Sequence, residues 1–244
     1  MKTKLALLLT ALLLPLTLRA ETGAWQKDFD SLLKKYVSSG GVRYAAWKAN
    51  AADLAAIDKV VAAIGAEDSS GLPRNEKLAF YINAYNAWII DLMLKKYPSK
   101  GVRDYAPLFG IFTGKNIQLA GKKVSFNYLE KDLVLKGLSE PRAHFALNCA
   151  SRSCPVLIPA AYDGATIDKV LDERAKAYTV SPLGVQLSKD GKSASLSMIF
   201  KWNTDDFKAA GGAVAFINKY RPQPIPANAK IEYQEYDWSL NETK

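Results

Sequence analysis

Hydrophobic residues recur every three to four positions in several stretches of this chain, which is the spacing of an amphipathic helix. Residues 25–37 and 53–64 show this spacing, with lysine and aspartate between the apolar positions. Residues 166–178 repeat the pattern, and residues 126–135 and 213–220 are predicted as shorter helices. The pattern therefore predicts a chain rich in helices that bury one face each.

One stretch is apolar on nearly every side, and we predict that it forms a central, buried helix. It runs from Asn75 to Tyr97, with Asn75 as its N-cap and Pro98 as its stop. Asn83 and Asn86 lie inside it, three positions apart and on one face. A buried amide without a partner costs about 1–3 kcal/mol. These two side chains therefore either form a structural hydrogen-bond network or line a site.

Short apolar or alternating runs between turn residues predict β-strands. The predicted strands are residues 116–119, 123–126, 144–147, 185–187, 195–199 and 230–236. No linker or internal repeat divides the chain. We therefore expect a single domain over residues 21–244 with an α+β fold, in which the buried central helix packs on an antiparallel sheet.

The beginning of the chain has the layout of a secretory signal peptide. Lys2 and Lys4 precede an apolar run at residues 5–14, and Ala20 is a small residue suited to cleavage. The apolar run is too short for a transmembrane helix. We expect a signal peptide over residues 1–20 and a soluble periplasmic or secreted protein with no transmembrane segment in the mature chain.

Charge narrows the classes of partner. The chain carries a formal net charge of +9, and removing Lys2, Lys4 and Arg19 lowers it by three to +6. The basic residues are scattered, so nucleic acid is not an expected partner. Gly-rich phosphate loops and a Gly-x-Ser-x-Gly motif are absent from the sequence.

The candidate chemistry lies in residues 141–155, which hold the only histidine and both cysteines of the chain. His144 is therefore the only imidazole base that a cysteine nucleophile can use. In an ideal strand His144 and Cys149 point to opposite faces, so they meet only if the strand breaks or if Cys154 folds back. The alternatives are a core role for His144 and a Cys149–Cys154 disulfide, which adds about 2 kcal/mol of stability.

Metal and redox sites are weaker interpretations of the same residues. The spacing of His144, Cys149 and Cys154 matches no usual zinc pattern. Four residues separate the cysteines, whereas a dithiol redox motif has two between them. We expect neither a metal nor a cofactor.

Three blocks of the sequence together resemble one protein family. They are residues 75–87, residues 141–155, and Phe200-Lys201-Trp202 with Asp206-Phe207. These blocks are similar to the signature of the domain-of-unknown-function 547 family, over about residues 42–220. The resemblance implies no agreed activity. The family pattern has a histidine after the glutamate equivalent to Glu130, and this chain has Lys131 there.

A buried helix packed on a sheet that carries a histidine is also loosely similar to papain-like and transglutaminase-like cores. In those cores the cysteine begins the central helix, whereas here the cysteines follow the histidine. The leading hypothesis is a thiol-dependent hydrolase or acyltransferase that acts on a peptide, an amide or an envelope component. The rival hypothesis is a non-catalytic envelope binding domain with a Cys149–Cys154 disulfide.

The leading hypothesis gives each candidate residue a role. Cys149 or Cys154 is the nucleophile and His144 is its base. Asn83 or Asn86 orients the base or binds an oxyanion. Glu130 is expected in the same cleft as the others.

Overall fold

The computed structural model describes residues 23–38, 41–105 and 110–243, so the predicted signal peptide lies outside the described residues. The α-helices are α1 (Ala24–Tyr36), α2 (Tyr44–Lys48), α3 (Ala51–Ala66), α4 (Arg74–Lys96), α5 (Gly110–Thr113), α6 (Ile167–Val180), α7 (Met198–Trp202) and α8 (Ala213–Tyr220). The described residues also form 3₁₀ helices at Val102–Asp104, Pro141–Phe145 and Thr204–Ala210. Residues Tyr128–Lys136 form a π helix. The strands are β1 (Val37–Ser38), β2 (Gly41–Val42), β3 (Ile117–Leu119), β4 (Lys122–Val124), β5 (Val185–Leu187), β6 (Ser193–Leu196) and β7 (Lys230–Tyr233).

The amphipathic helices form where the hydrophobic spacing predicts them. Helices α1, α3, α6 and α8 each bury the predicted apolar face. The helix predicted at residues 126–135 is present as the π helix, and its first turn is capped because Ser125 Oγ accepts a hydrogen bond from the Tyr128 N–H at 3.1 Å.

Helix α4 is the central buried helix. Every residue from Leu78 to Leu94 except Trp88 is buried. Its principal neighbours are α3, α6, α2 and the π helix, so it packs mainly among helices while the small sheets lie around it. The helix begins at Arg74 with Pro73 in the N-cap position, so Asn75 lies inside the first turn and is not the N-cap. The Asn75 side-chain amide donates to Asp168 Oδ2 at 3.0 Å. Among the described residues, no helix is long and apolar enough to cross a membrane.

The sheets are small. β1–β2 and β3–β4 are antiparallel pairs, and β5–β6–β7 is a three-stranded sheet in which β7 pairs parallel to β6. The hairpins predicted around residues 120–122 and 189–192 are both present. The α+β class and the single domain are therefore confirmed, and the similarity to papain-like cores is only loose.

The predicted strand over His144–Leu147 is wrong. Residues Pro141–Phe145 form a 3₁₀ helix, which we call the histidine helix. Pro141 begins it, and Glu140 caps it by accepting a hydrogen bond from the Arg142 N–H at 3.3 Å. Residues 143–147 are buried because they lie between two hydrophobic clusters, with Phe145 in one and its neighbours Ala143 and Ala146 in the other. Burial on every side hides the difference between a strand and a short helix.

Candidate functional site

A cleft of about 570 Å³ opens beside the histidine helix. Four of the six residues singled out in the sequence line it: Glu130, His144, Cys149 and Cys154. Its volume lies in the usual range for small-molecule sites. Because the segment is not a strand, the alternation that would place His144 and Cys149 on opposite faces does not apply.

His144 is held at the cleft wall by a carboxylate. Its side chain is only 3% exposed, and its Nε2 lies 2.8 Å from Asp206 Oδ2. The Phe207 ring packs against the imidazole with 5.7 Å between the ring centroids. With the Nε2–H donated to Asp206, Nδ1 is the nitrogen left to exchange a proton. Nδ1 lies 3.9 Å from Glu130 Oε1, which is longer than a hydrogen bond.

Glu130 also lies beside Tyr85, a residue of α4 that lines the same cleft. Burial, together with the Glu130 carboxylate, raises the pKa of the Tyr85 hydroxyl well above its usual value. Tyr85 therefore keeps its proton at neutral pH. Among the described residues, no group of three or more His, Cys, Asp or Glu side chains is placed to hold a metal ion.

Cys149 and Cys154 are joined by a disulfide in the structure, with their Cα atoms 6.3 Å apart. The predicted alternative of a short disulfide is therefore present. Disulfides persist mainly in oxidising compartments. Both cysteines line the cleft, so the disulfide belongs to the candidate site and not to a remote part of the fold.

The loop that carries the disulfide, residues 148–155, is fixed by hydrogen bonds from the Asn148 side chain. Its Nδ2 donates to the Pro155 carbonyl at 2.8 Å, and its Oδ1 accepts from the Ala150 N–H at 2.9 Å. Asn241 Nδ2 also donates to Asn148 Oδ1 at 3.1 Å. Asn148 itself is buried. The loop is therefore held from inside as well as by the disulfide.

The C-terminal segment, residues 234–243, lies along this loop. The Arg152 N–H donates to the Ser239 carbonyl at 2.9 Å, and the Asn241 N–H donates to the Ala150 carbonyl at 3.0 Å. This pairing places Tyr236 at the disulfide, with its hydroxyl oxygen 3.2 Å from Cys154 Sγ and 3.5 Å from Cys149 Sγ. Tyr236 and Trp238 of this segment therefore belong to the candidate site.

Three aromatic side chains, Trp202, Tyr236 and Trp238, form one wall of the cleft, which we call the aromatic wall. The ring centroids lie 4.9 Å apart for Trp202–Tyr236, 4.5 Å for Tyr236–Trp238 and 5.6 Å for Trp202–Trp238. Trp202 is 48% exposed, which is unusual for so large an apolar side chain. The wall offers apolar surface to a ligand beside the polar groups of His144 and Glu130.

Asn83 and Asn86 are placed outside the cleft lining. The Asn83 amide donates to the Tyr162 carbonyl and accepts from the Tyr162 N–H, both at 2.8 Å. Asn86 Nδ2 donates to the Ala146 carbonyl at 3.0 Å, and its Oδ1 accepts from the Asn148 N–H at 2.9 Å. Both amides are used by backbone groups, so the geometry gives no support to their suggested role as oxyanion donors.

Sequence reasoning missed Asp206, Tyr85 and Tyr236 as site residues. Asp206 had a signal, because it belongs to the third block that resembles the family. Tyr85 precedes Asn86 on a helix that is buried on almost every side. The sequence therefore does not show which side chains of this helix face a cleft and which face the core. Tyr236 had no signal, since it reaches the disulfide through pairing between segments more than 80 residues apart.

The family model described as "Protein of unknown function, DUF547" matches residues 69–179. This range contains α4, the π helix, the histidine helix and the disulfide loop, but it ends before Trp202, Asp206 and the C-terminal segment. The matched range includes the first two sequence blocks, residues 75–87 and 141–155, but not the third. No curated protein and no solved structure matches the chain. The suspected resemblance is confirmed to this extent: the DUF547 family model matches residues 69–179.

Proposed function

We propose that this protein is an exported thiol-dependent hydrolase or acyltransferase whose nucleophile is Cys149 in its reduced form. The observation that carries the proposal is the placement of His144, held through Nε2 by Asp206, in the same cleft as Cys149. A cysteine nucleophile needs a base, and a base needs a group that fixes its orientation. The signal-like residues 1–20 and the disulfide support export.

The proposal assigns a role to each group. After reduction, Nδ1 of His144 takes the proton of the Cys149 thiol, and Asp206 stabilises the resulting imidazolium. The thiolate attacks the carbonyl carbon of an amide or ester, and the imidazolium returns the proton to the departing amine or alcohol. Water or another acceptor then attacks the thioester and restores the thiol. Cys149 is the better candidate for the nucleophile because it is partly exposed, whereas Cys154 is 4% exposed.

The chain offers a matched pair of variants for the test. Cys154→Ser removes the disulfide and leaves Cys149 free, so it is expected to hydrolyse p-nitrophenyl acetate without reductant. Cys149→Ser is expected to be inactive with or without reductant, and the wild type is expected to require reductant. His144→Ala in the Cys154→Ser background is expected to lower the rate by roughly a hundredfold. Equal activity of the two serine variants would contradict the assignment of Cys149.

The disulfide itself favours a second candidate, which is a non-catalytic binding domain. In the oxidised protein neither sulfur is a nucleophile, and the aromatic wall then becomes the main recognition feature of the cleft. A saccharide ring can stack its apolar C–H face on such a wall while its hydroxyls bond to polar neighbours. Titrating the oxidised protein with triacetylchitotriose, followed by tryptophan fluorescence, tests this candidate. Binding that is lost in Trp202→Ala, together with no hydrolysis by the reduced protein, would favour it.

A further inference from the structure

The two sulfur atoms of the disulfide have different surroundings. We propose that the Cys149–Cys154 disulfide is a thiol–disulfide exchange site of fixed polarity, in which an incoming thiolate attacks Cys149 Sγ and Cys154 Sγ is the leaving group. The inference deepens the proposed function and rests on it, because exchange is the step that frees Cys149 for acyl transfer.

Access distinguishes the two sulfurs. Cys149 is partly exposed in the cleft, whereas Cys154 is 4% exposed. Exchange requires the attacking thiolate to approach one sulfur along the line of the S–S bond, so the rate depends on which sulfur can be reached. The cleft therefore directs an incoming thiol to Cys149.

Hydrogen-bond donors distinguish the sulfurs as well. The backbone N–H of Cys149 donates to Cys154 Sγ at 3.1 Å, and the Tyr236 hydroxyl lies 3.2 Å from the same sulfur. Around Cys149 Sγ the distances are longer, 3.4 Å to Ser151 Oγ and 3.5 Å to the Tyr236 hydroxyl. A disulfide sulfur carries no proton, so the hydroxyls of Tyr236 and Ser151 are the donors in their contacts with sulfur. Donors that stabilise a thiolate make it the better leaving group.

Tyr236 is suited to this task because it keeps its proton. Burial, with the neighbouring Tyr178 and Glu130, raises the pKa of the Tyr236 hydroxyl well above its usual value. It therefore remains a donor across the pH range in which thiols react. When the S–S bond breaks, the negative charge appears on Cys154 Sγ, where two donors are already in place.

The loop does not have to unfold for the exchange. Asn148 ties it to Pro155 and Ala150, and the C-terminal segment pairs with it through Arg152 and Asn241. None of these hydrogen bonds involves sulfur. The donors at Cys154 therefore stay in position when the bond opens, which is the preorganisation that a leaving group needs.

The co-reactant is a thiol, either a small molecule or a cysteine in a flexible peptide that enters the cleft. In the first step a thiolate forms a mixed disulfide with Cys149, and Cys154 leaves as the thiolate. In the second step another thiolate attacks the sulfur of the bound thiol, so that Cys149 is released and takes up a proton. Two thiols are thereby oxidised to one disulfide, and the Cys149–Cys154 disulfide is reduced to two thiols.

The test uses the full-length oxidised protein and reduced glutathione. Samples are quenched with acid at short times, and peptide mass mapping locates the adduct. We expect the glutathione adduct on Cys149 to exceed that on Cys154 by at least roughly tenfold, and we expect Tyr236→Phe to slow adduct formation by roughly tenfold. Tyr233→Phe is the matched control, because Tyr233 is 40% exposed on the neighbouring strand.

The adduct is mapped on the wild-type protein. The position of attack can therefore be determined even if the Tyr236→Phe variant does not fold. An adduct mainly on Cys154, or spread evenly over both cysteines, would overturn the inference. So would equal rates for folded Tyr236→Phe and Tyr233→Phe. The experiment contains no acyl substrate, so selective exchange at Cys149 stands even if the reduced protein hydrolyses nothing. Hydrolysis without selective exchange would remove this inference alone.

Discussion

His144 Nε2 lies 2.8 Å from Asp206 Oδ2, although the two residues are 62 positions apart in the chain. The 3₁₀ helix Thr204–Ala210 brings the carboxylate to the histidine helix, and Phe207 anchors it in the hydrophobic cluster that also contains Phe145. The contact fixes which imidazole nitrogen is engaged and which is left for proton transfer.

Replacing Asp206 tests this relationship directly. In reduced protein, Asp206→Asn is expected to slow alkylation of Cys149 by iodoacetamide near neutral pH by roughly tenfold, because the imidazolium that stabilises the thiolate loses its carboxylate. Asp205→Asn is the matched control, since Asp205 is exposed and paired with Lys208. Equal alkylation rates for the two variants would show that Asp206 does not act on the thiol.

The sequence predicted the helices well because their apolar spacing is a local property. Helix α8 has the bounds that its pattern predicts, and α4 is buried over the stretch in which apolar residues occupy nearly every face. The pattern predicts a strand where the histidine helix lies, because burial on every side removes the periodicity that distinguishes a strand from a helix. Only some of the site residues can be predicted from the sequence. His144, Cys149 and Cys154 are chemically distinctive, whereas Tyr236 reaches the disulfide through tertiary pairing that no local pattern encodes.

The two buried amides of α4 are expected to be structural. Asn83→Ala leaves the Tyr162 N–H and C=O without partners and is expected to lower the free energy of unfolding by roughly 2–3 kcal/mol. Its effect on Cys149 alkylation is expected to be nil. Asn218→Ala is a control away from the cleft, because Asn218 pairs with the Ile225 backbone in the same two-bond manner.

Urea unfolding and alkylation rates separate these outcomes. Loss of stability in both asparagine variants with unchanged thiol reactivity supports the structural assignment. A selective loss of thiol reactivity in Asn83→Ala, at unchanged stability, would restore the catalytic interpretation of this residue.

Arg142 is expected to stabilise the beginning of the histidine helix through its ion pair with Glu140. Its Nε and Nη2 donate to the two carboxylate oxygens of Glu140 at 2.7 and 2.6 Å, and both side chains are largely buried. Arg142→Ala leaves the buried Glu140 carboxylate with only the longer contact to Arg74 Nη2, at 3.3 Å, among its described ion pairs. The variant is therefore expected to cost about 2–3 kcal/mol of stability in urea unfolding. Lys169→Ala, which removes an exposed pair with Glu173, is expected to change it by less than about 0.5 kcal/mol. Similar losses in both would refute this account.

Asp91 gives the molecule a predictable dependence on pH. Burial raises the pKa of this carboxyl from 3.8 to about 6, against the opposing effect of Lys95. Because the folded pKa is above the unfolded one, the folded state binds the proton more tightly. Stability from this group is therefore present below about pH 4 and is lost as the pH rises to about 6. A shift of about two units corresponds to roughly 3 kcal/mol.

Asp91→Asn removes the titrating group with little change in shape. The free energy of unfolding of the variant, relative to wild type, is expected to rise by roughly 3 kcal/mol between pH 4 and pH 7, because only the wild type has to bury a carboxylate at the higher pH. Asp205→Asn is the control, since Asp205 is exposed and pairs with Lys208 instead of Lys95, and its stability relative to wild type is expected to stay nearly constant. Urea unfolding of the three proteins at both pH values provides the measurement. If the difference between wild type and Asp91→Asn is the same at pH 4 and pH 7, Asp91 does not titrate in this interval and its burial is not the cause of the pH dependence.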